Sequence, residues 1–137
     1  PKYPVDHAYI GKYRVTGDKQ NDLKHHGGEN RAVCLYSSDL ISELKKEGHP
    51  IFEGSTGENL SIQGLDWSSL QKGDLLEMGK VKIELTKPAP PCKTIAKSFT
   101  NEEFIRISEK KHPGWSRWYA KVINEGIISL NDTVFLK

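Results

Sequence analysis

Three short stretches hold side chains able to do chemistry. The first is KHHGGEN, residues 24–30, in which His25 and His26 run into Gly27 and Gly28, with Arg31 just beyond. Glycines let a ligand approach the backbone and leave N–H groups open to an anion or a substrate oxygen. An imidazole beside them can bind, donate or accept. Adjacent side chains of an extended chain point to opposite sides, so at most one of the two histidines faces a site. The plain alternative is a loop histidine bonded to backbone. The second stretch is GEN, residues 57–59. Glu58 could act as a base, and Asn59 offers both donors and acceptors. A glycine turn before a strand explains that corner equally well. Arg31 could hold an anion, or make a surface ion pair of little energy.

The third stretch is PAPPCK, residues 88–93, which contains one of the two cysteines. Cys34 lies between Val33 and Leu35 in an apolar run, where desolvation disfavours a thiolate. Cys92 instead follows Pro90 and Pro91, which stiffen the loop, and precedes Lys93, a cation able to favour the thiolate. The sequence thus separates an inert thiol from a reactive one. The two cysteines make no CxxC pair, so no zinc site is expected. The other histidines, His7, His49 and His112, stand alone and read as surface or satisfied core groups.

The whole chain limits what these residues can belong to. Its 137 residues suit a single domain spanning residues 1–137. Twenty Lys and Arg against 18 acids leave a net charge of +2, too small to argue for nucleic acid or an anionic membrane. Apolar runs are only a few residues long, so no membrane span is expected. No basic-then-apolar leader is visible, which points to a cytoplasmic protein with both thiols reduced and no disulfide.

The elements that would position these residues are mostly strands. Residues 31–37 read as a buried strand. A short helix follows over residues 39–47, with Ser38 as N-cap, Leu40, Ile41 and Leu44 on one face, and Gly48 and Pro50 as the stop. Further strands are expected over residues 60–62, 75–77 and 81–86, the last two joined at Gly79 and Lys80. A second helix is expected from Thr100, capped by Thr100 with Glu103 and closed by Pro113 and Gly114. The tail fits both a helical stripe and a strand face. Its Trp, Tyr, Val and Ile content, with turns at NEG and ND, favours three short strands. The expected fold is mainly β: a closed or nearly closed mixed β-barrel, largely antiparallel, with two or three short flanking helices.

Taken together and in order, DKQNDLKHHGGENRAV, GENLSIQGLD, KGDLLEMGKVKIEL, PAPPCK, GW and VINEGIISLNDTVFL resemble the MOSC domain. That family is named for the C-terminal part of molybdenum-cofactor sulfurases. The resemblance runs over nearly the whole chain, and is to the free-standing bacterial branch, similar to a hydroxylaminopurine-resistance protein. It implies a mixed β-barrel, a molybdenum cofactor (molybdopterin), and a cysteine that ligates molybdenum or carries sulfur. Related domains in amidoxime-reducing enzymes imply reduction of small N-hydroxylated compounds, and the sulfurases imply sulfur transfer as the other role. Residue by residue, it places His26, Gly27, Gly28, Arg31, Glu58 and Asn59 at the cofactor, and Cys92 as catalytic residue and metal ligand. Two positions depart from the family pattern. Proline often follows the two glycines, where this chain has Glu29. Arginine often stands three residues before the cysteine, where this chain has Ala89. Pyridoxal phosphate binds another domain of the sulfurases and is not expected here.

Molybdenum favours soft sulfur donors, so the implied ligand is chemically sensible. No electron-transfer motif is visible, and a reductase would need an external electron-donor protein. A second reading is a non-catalytic binding module for a molybdopterin or sulfur-bearing partner. A third, a Cys–His hydrolase, requires Cys92 to meet a histidine.

Overall fold

The protein is described by a computed structural model over residues 7–11, 15–16 and 29–137. The strands are β1 (His7–Ile10), β2 (Val15–Thr16), β3 (Val33–Ser37), β4 (Leu60–Ile62), β5 (Leu75–Met78), β6 (Val81–Ala89), β7 (Arg117–Asn124), β8 (Gly126–Ser129) and β9 (Val134–Leu136). Among the described residues an α-helix, α1 (Ser38–Lys46), lies between β3 and β4. Among the described residues the strands form two sheets. The smaller runs β2-β1-β8 and the larger runs β4-β3-β7-β6-β5-β9.

The mainly β expectation holds, and the barrel is not closed. The larger sheet ends at β4 on one side and β9 on the other, with no ladder between them among the described strands. Register shifts between β6 and β7, at Lys82/Ile83 and Leu85/Lys87, bend it instead. The pairing is antiparallel except for β3 with β4. Those two are parallel because α1 carries the chain back across, as a parallel neighbour requires.

Alternation decides what each face of the large sheet buries. Val33 and Leu35 of β3, Val81, Ile83 and Leu85 of β6, and Ala120 and Val122 of β7 point into the main core, where Ile41 and Leu44 of α1 meet them. Burying each large aliphatic side chain stabilises the fold by about 1.5–3 kcal/mol. The residues between them face the other way. Cys34 and Tyr119, paired across β3 and β7, form a small separate cluster with Ala89. Cys34 is therefore buried in the expected strand, but on the face opposite the main core.

Local expectations needed further adjustments. Strands β1 and β2 were not expected, and β6 runs on to Ala89, past the expected end at residue 86. The cap of α1 is Ser37, whose hydroxyl accepts from the Leu40 amide at 3.1 Å, so the helix starts one residue earlier than expected. Arg31 closes a 3-10 turn, Glu29–Arg31, and the strand begins only at Val33. The second helix does not form. Residues 93–107 hold successive short 3-10 turns, and Asn101 and Glu102 take positive φ. The expected capping box fails because its threonine is already committed. The Thr100 hydroxyl donates to the Gly48 carbonyl at 2.8 Å, and its amide donates to His49 Nδ1 at 3.1 Å. The tail resolves as strands β7, β8 and β9, not as a helix.

Candidate functional site

The face bearing Cys34, Ala89 and Tyr119 gathers most of the candidate residues that lie among the described ones. Gly57 turns the chain with φ of +79°, a conformation that glycine adopts without strain. That turn sets Asn59 alongside β3. The Asn59 amide donates to the Cys34 carbonyl at 2.7 Å, and Asn59 Oδ1 accepts from the Cys34 amide at 2.7 Å. Asn59 thus extends the pairing of β3 with one backbone group and one side-chain group. Its neighbour Glu58 turns inward and is 2% exposed. The Glu58 carboxylate accepts from the Gly54 amide at 2.8 Å, the Thr56 hydroxyl at 2.7 Å and the Ser61 hydroxyl at 3.1 Å. Three donors occupy it within its own corner, so its visible task is to hold the shape of that corner.

β6 leads from the core to the proline loop. Cys92 follows this loop as an exposed thiol and Cys34 is buried, and the two make no disulfide. Cys92 Sγ lies 2.8 Å from the Thr94 hydroxyl, and the Cys92 carbonyl accepts from the Ile95 amide at 3.1 Å. The side chain is therefore held, with its sulfur facing solvent. Arg31 stands 5.3 Å from the centroid of the Tyr119 ring, a cation over an aromatic face. The Thr86 hydroxyl donates to the Asn30 carbonyl at 2.8 Å and ties the turn bearing Arg31 to β6.

Burial first, and then Cys34, push the Tyr119 phenol above the ordinary tyrosine value, and Cys92 acts in the same direction. Arg117 and Arg31 oppose them. Both thiols and two guanidinium groups thus sit within electrostatic reach of one phenol.

Arg117 is the residue that the sequence reading missed. It is 1% exposed, opens β7, and pairs in register with Ala89. One Nη donates to the Thr56 carbonyl at 2.6 Å and the other to the Pro90 carbonyl at 3.0 Å. Two aromatic anchors fix the strand just before it. The Tyr36 hydroxyl donates to the Trp115 carbonyl at 2.6 Å, and the Trp67 indole N–H donates to the Ser116 carbonyl at 2.7 Å. Nothing local marks Arg117, since an arginine among WSRWY also reads as an outward strand residue. Only the cross-strand register with Ala89 shows where it goes.

The structure brings together Cys92, Arg31 and the Asn59 corner around Cys34 and Tyr119. Glu58 lies behind that corner. His26, Gly27 and Gly28 fall outside the described residues. His49, expected to be a surface or satisfied group, is satisfied: besides accepting from Thr100, its Nε2 lies 3.6 Å from Glu47 Oε1. No group of three His, Cys, Asp or Glu able to hold a metal occurs among the described residues. No described helix is long and apolar enough to cross a membrane.

Known proteins share this arrangement of elements. The MOSC domain model matches residues 22–135. YflK of Bacillus subtilis, described as uncharacterized, is 30% identical over 114 residues, which cover 82% of this chain and 51% of YflK. YiiM of Escherichia coli is 29% identical over 119 residues, covering 84% of this chain and 52% of YiiM. Its crystal structure superposes with a TM-score of 0.73 at 23% identity, over 97% of this chain and 63% of that one. A Gibberella moniliformis protein named "Reductase" is 28% identical over 127 residues, 89% of this chain and 22% of its own length. The chain spans about half the length of YflK and YiiM. The match across residues 22–135 shows that the chain belongs to the MOSC domain family.

Proposed function

We propose that this chain is a molybdenum-cofactor-associated domain that acts in the reduction of small N-hydroxylated compounds, with Cys92 as metal ligand or sulfur carrier. The observation that carries this reading is the exposed, free thiol of Cys92 on the face where Arg31, Tyr119 and Arg117 gather. Membership of the MOSC family and the reductase name of one relative support it.

The residues present suit the cofactor. Cys92 offers the soft donor that molybdenum favours. Arg31 supplies positive charge for an anionic group such as a phosphate. Asn59 braces the strand edge under Tyr119. When bound, the cofactor supplies the redox chemistry, and the protein supplies position and electrostatics. The proline loop holds the Cys92 sulfur at one place on the surface. Tyr119, its phenol held above the ordinary value, keeps its proton at neutral pH and can donate to a substrate oxygen. Electrons come from an external donor protein, and the reaction runs in the cytoplasm, where both cysteines stay reduced.

The test is purification after expression with molybdenum cofactor available, followed by metal analysis and assay of an N-hydroxylated base with candidate electron donors added. Bound molybdenum with donor-dependent turnover is expected. A folded protein with neither overturns the reading. Bound molybdenum without turnover under any donor favours the binding-module alternative.

A further inference from the structure

A buried guanidinium needs a reason. Taking a cation out of water costs several kcal/mol unless charge and hydrogen bonds compensate. Among the described residues the Arg117 side chain has only carbonyl partners, and its Nε has none. What it gains is a link between two segments far apart in sequence. Thr56, whose carbonyl takes one N–H, also donates its hydroxyl to Glu58, so the guanidinium is joined to the buried carboxylate corner. Pro90, whose carbonyl takes the other, stands two residues before Cys92. The Ser116 hydroxyl, which donates to the Arg117 carbonyl at 2.8 Å, also lies 3.3 Å from the Ala89 carbonyl on the same strand end. A loop with two consecutive prolines, Pro90 and Pro91, has lost two of its own backbone donors, and therefore depends on an outside donor to pin its carbonyls.

We infer that Arg117 is a positioning residue for Cys92: its guanidinium locks the proline loop to the Glu58 corner and so fixes where the thiol stands. The inference rests on the reading of Cys92 as the functional thiol, but the lock itself is measurable without activity. The readout is amide hydrogen exchange at Ile95, whose N–H is bonded to the Cys92 carbonyl. In the wild-type chain this amide is protected. In Arg117→Gln, which loses the charge and the two-pronged reach, its exchange accelerates roughly five- to tenfold, the effect of losing one net hydrogen bond. Amides of the β5–β6 ladder, distant from the loop, keep their wild-type rates. Arg117→Lys, which keeps the charge, restores part of the protection.

An accelerated Ile95 amide in Arg117→Gln over an unchanged ladder, with partial rescue by lysine, supports the lock. An unchanged Ile95 amide in a folded Arg117→Gln overturns it, as does equal acceleration across the ladder. Should neither variant fold, the wild-type rate decides: protection supports the lock, and exchange at the rate of an open chain overturns it. Cys92→Ser keeps the protection whatever its effect on chemistry, so failure of the functional reading and failure of the lock are told apart.

Discussion

At the scale of single residues, burial and partners separate groups that look alike in the sequence. Cys34 and Cys92 were distinguishable from their neighbours alone, an apolar run against a proline loop, and the structure leaves one buried and one exposed. The sequence reading did not show that Cys34 faces away from the main core, because a strand with every residue buried gives no alternation to read. We expect Cys34→Ala to cost about 1 kcal/mol through lost packing, measured by urea unfolding, with chemistry retained. Glu58 was legible as a polar corner but not as a saturated one. Its acceptors serve Gly54, Thr56 and Ser61, so Glu58→Ala strands three donors and should cost roughly 3 kcal/mol. A thermal unfolding midpoint within a degree of wild type would contradict that.

At the scale of elements, the strands from β3 onward were legible, β1 and β2 were not, and the second helix that the sequence suggested does not form. Alternation in β6 is a property of the segment itself, so it survives folding. The capping signal at Thr100 is only a local preference, and Gly48 and His49, about fifty residues earlier in the chain, compete for the same groups and win. The 3-10 segment is fastened to the end of α1 by Arg106, which donates to Glu47 Oε1 at 2.9 Å and to Oε2 at 2.7 Å and lies 4.0 Å over the Trp115 ring. The hydrogen bond from Arg106, with its charge and His49 acting likewise, holds the Glu47 carboxyl below the ordinary carboxylate range, against some desolvation. A carboxyl with a lowered folded pKa contributes stability that is complete above its unfolded pKa and is lost as pH falls through the folded one. Glu47→Gln should therefore be less stable than wild type at neutral pH, with the gap narrowing steadily as the solution is acidified below the carboxylate range. A gap that stays constant with pH in paired denaturant titrations would show that the ion pair contributes nothing through ionisation.

At the scale of the whole molecule, the sequence reading reached the class and missed the closure. Counting strands favours a barrel, yet closure depends on shear and on which edges meet, and neither is written in any one segment. The parallel pairing of β3 with β4 and the bulges in β6–β7 produce an open sheet with two faces. One face holds the main core, so Ile83→Ala, at its centre, should cost about 2–4 kcal/mol by chemical denaturation while leaving Cys92 in place. The other face holds the thiols, Tyr119 and the two arginines. That division lets the site change without unfolding the chain. Whether Cys92 holds the metal is decided by the molybdenum content of Cys92→Ser and Cys34→Ala, each purified in parallel with wild type from cofactor-replete cells. Wild-type metal is expected in Cys34→Ala and a large loss in a fully folded Cys92→Ser. Equal metal in Cys92→Ser and wild type, or loss confined to Cys34→Ala, would contradict that role for Cys92.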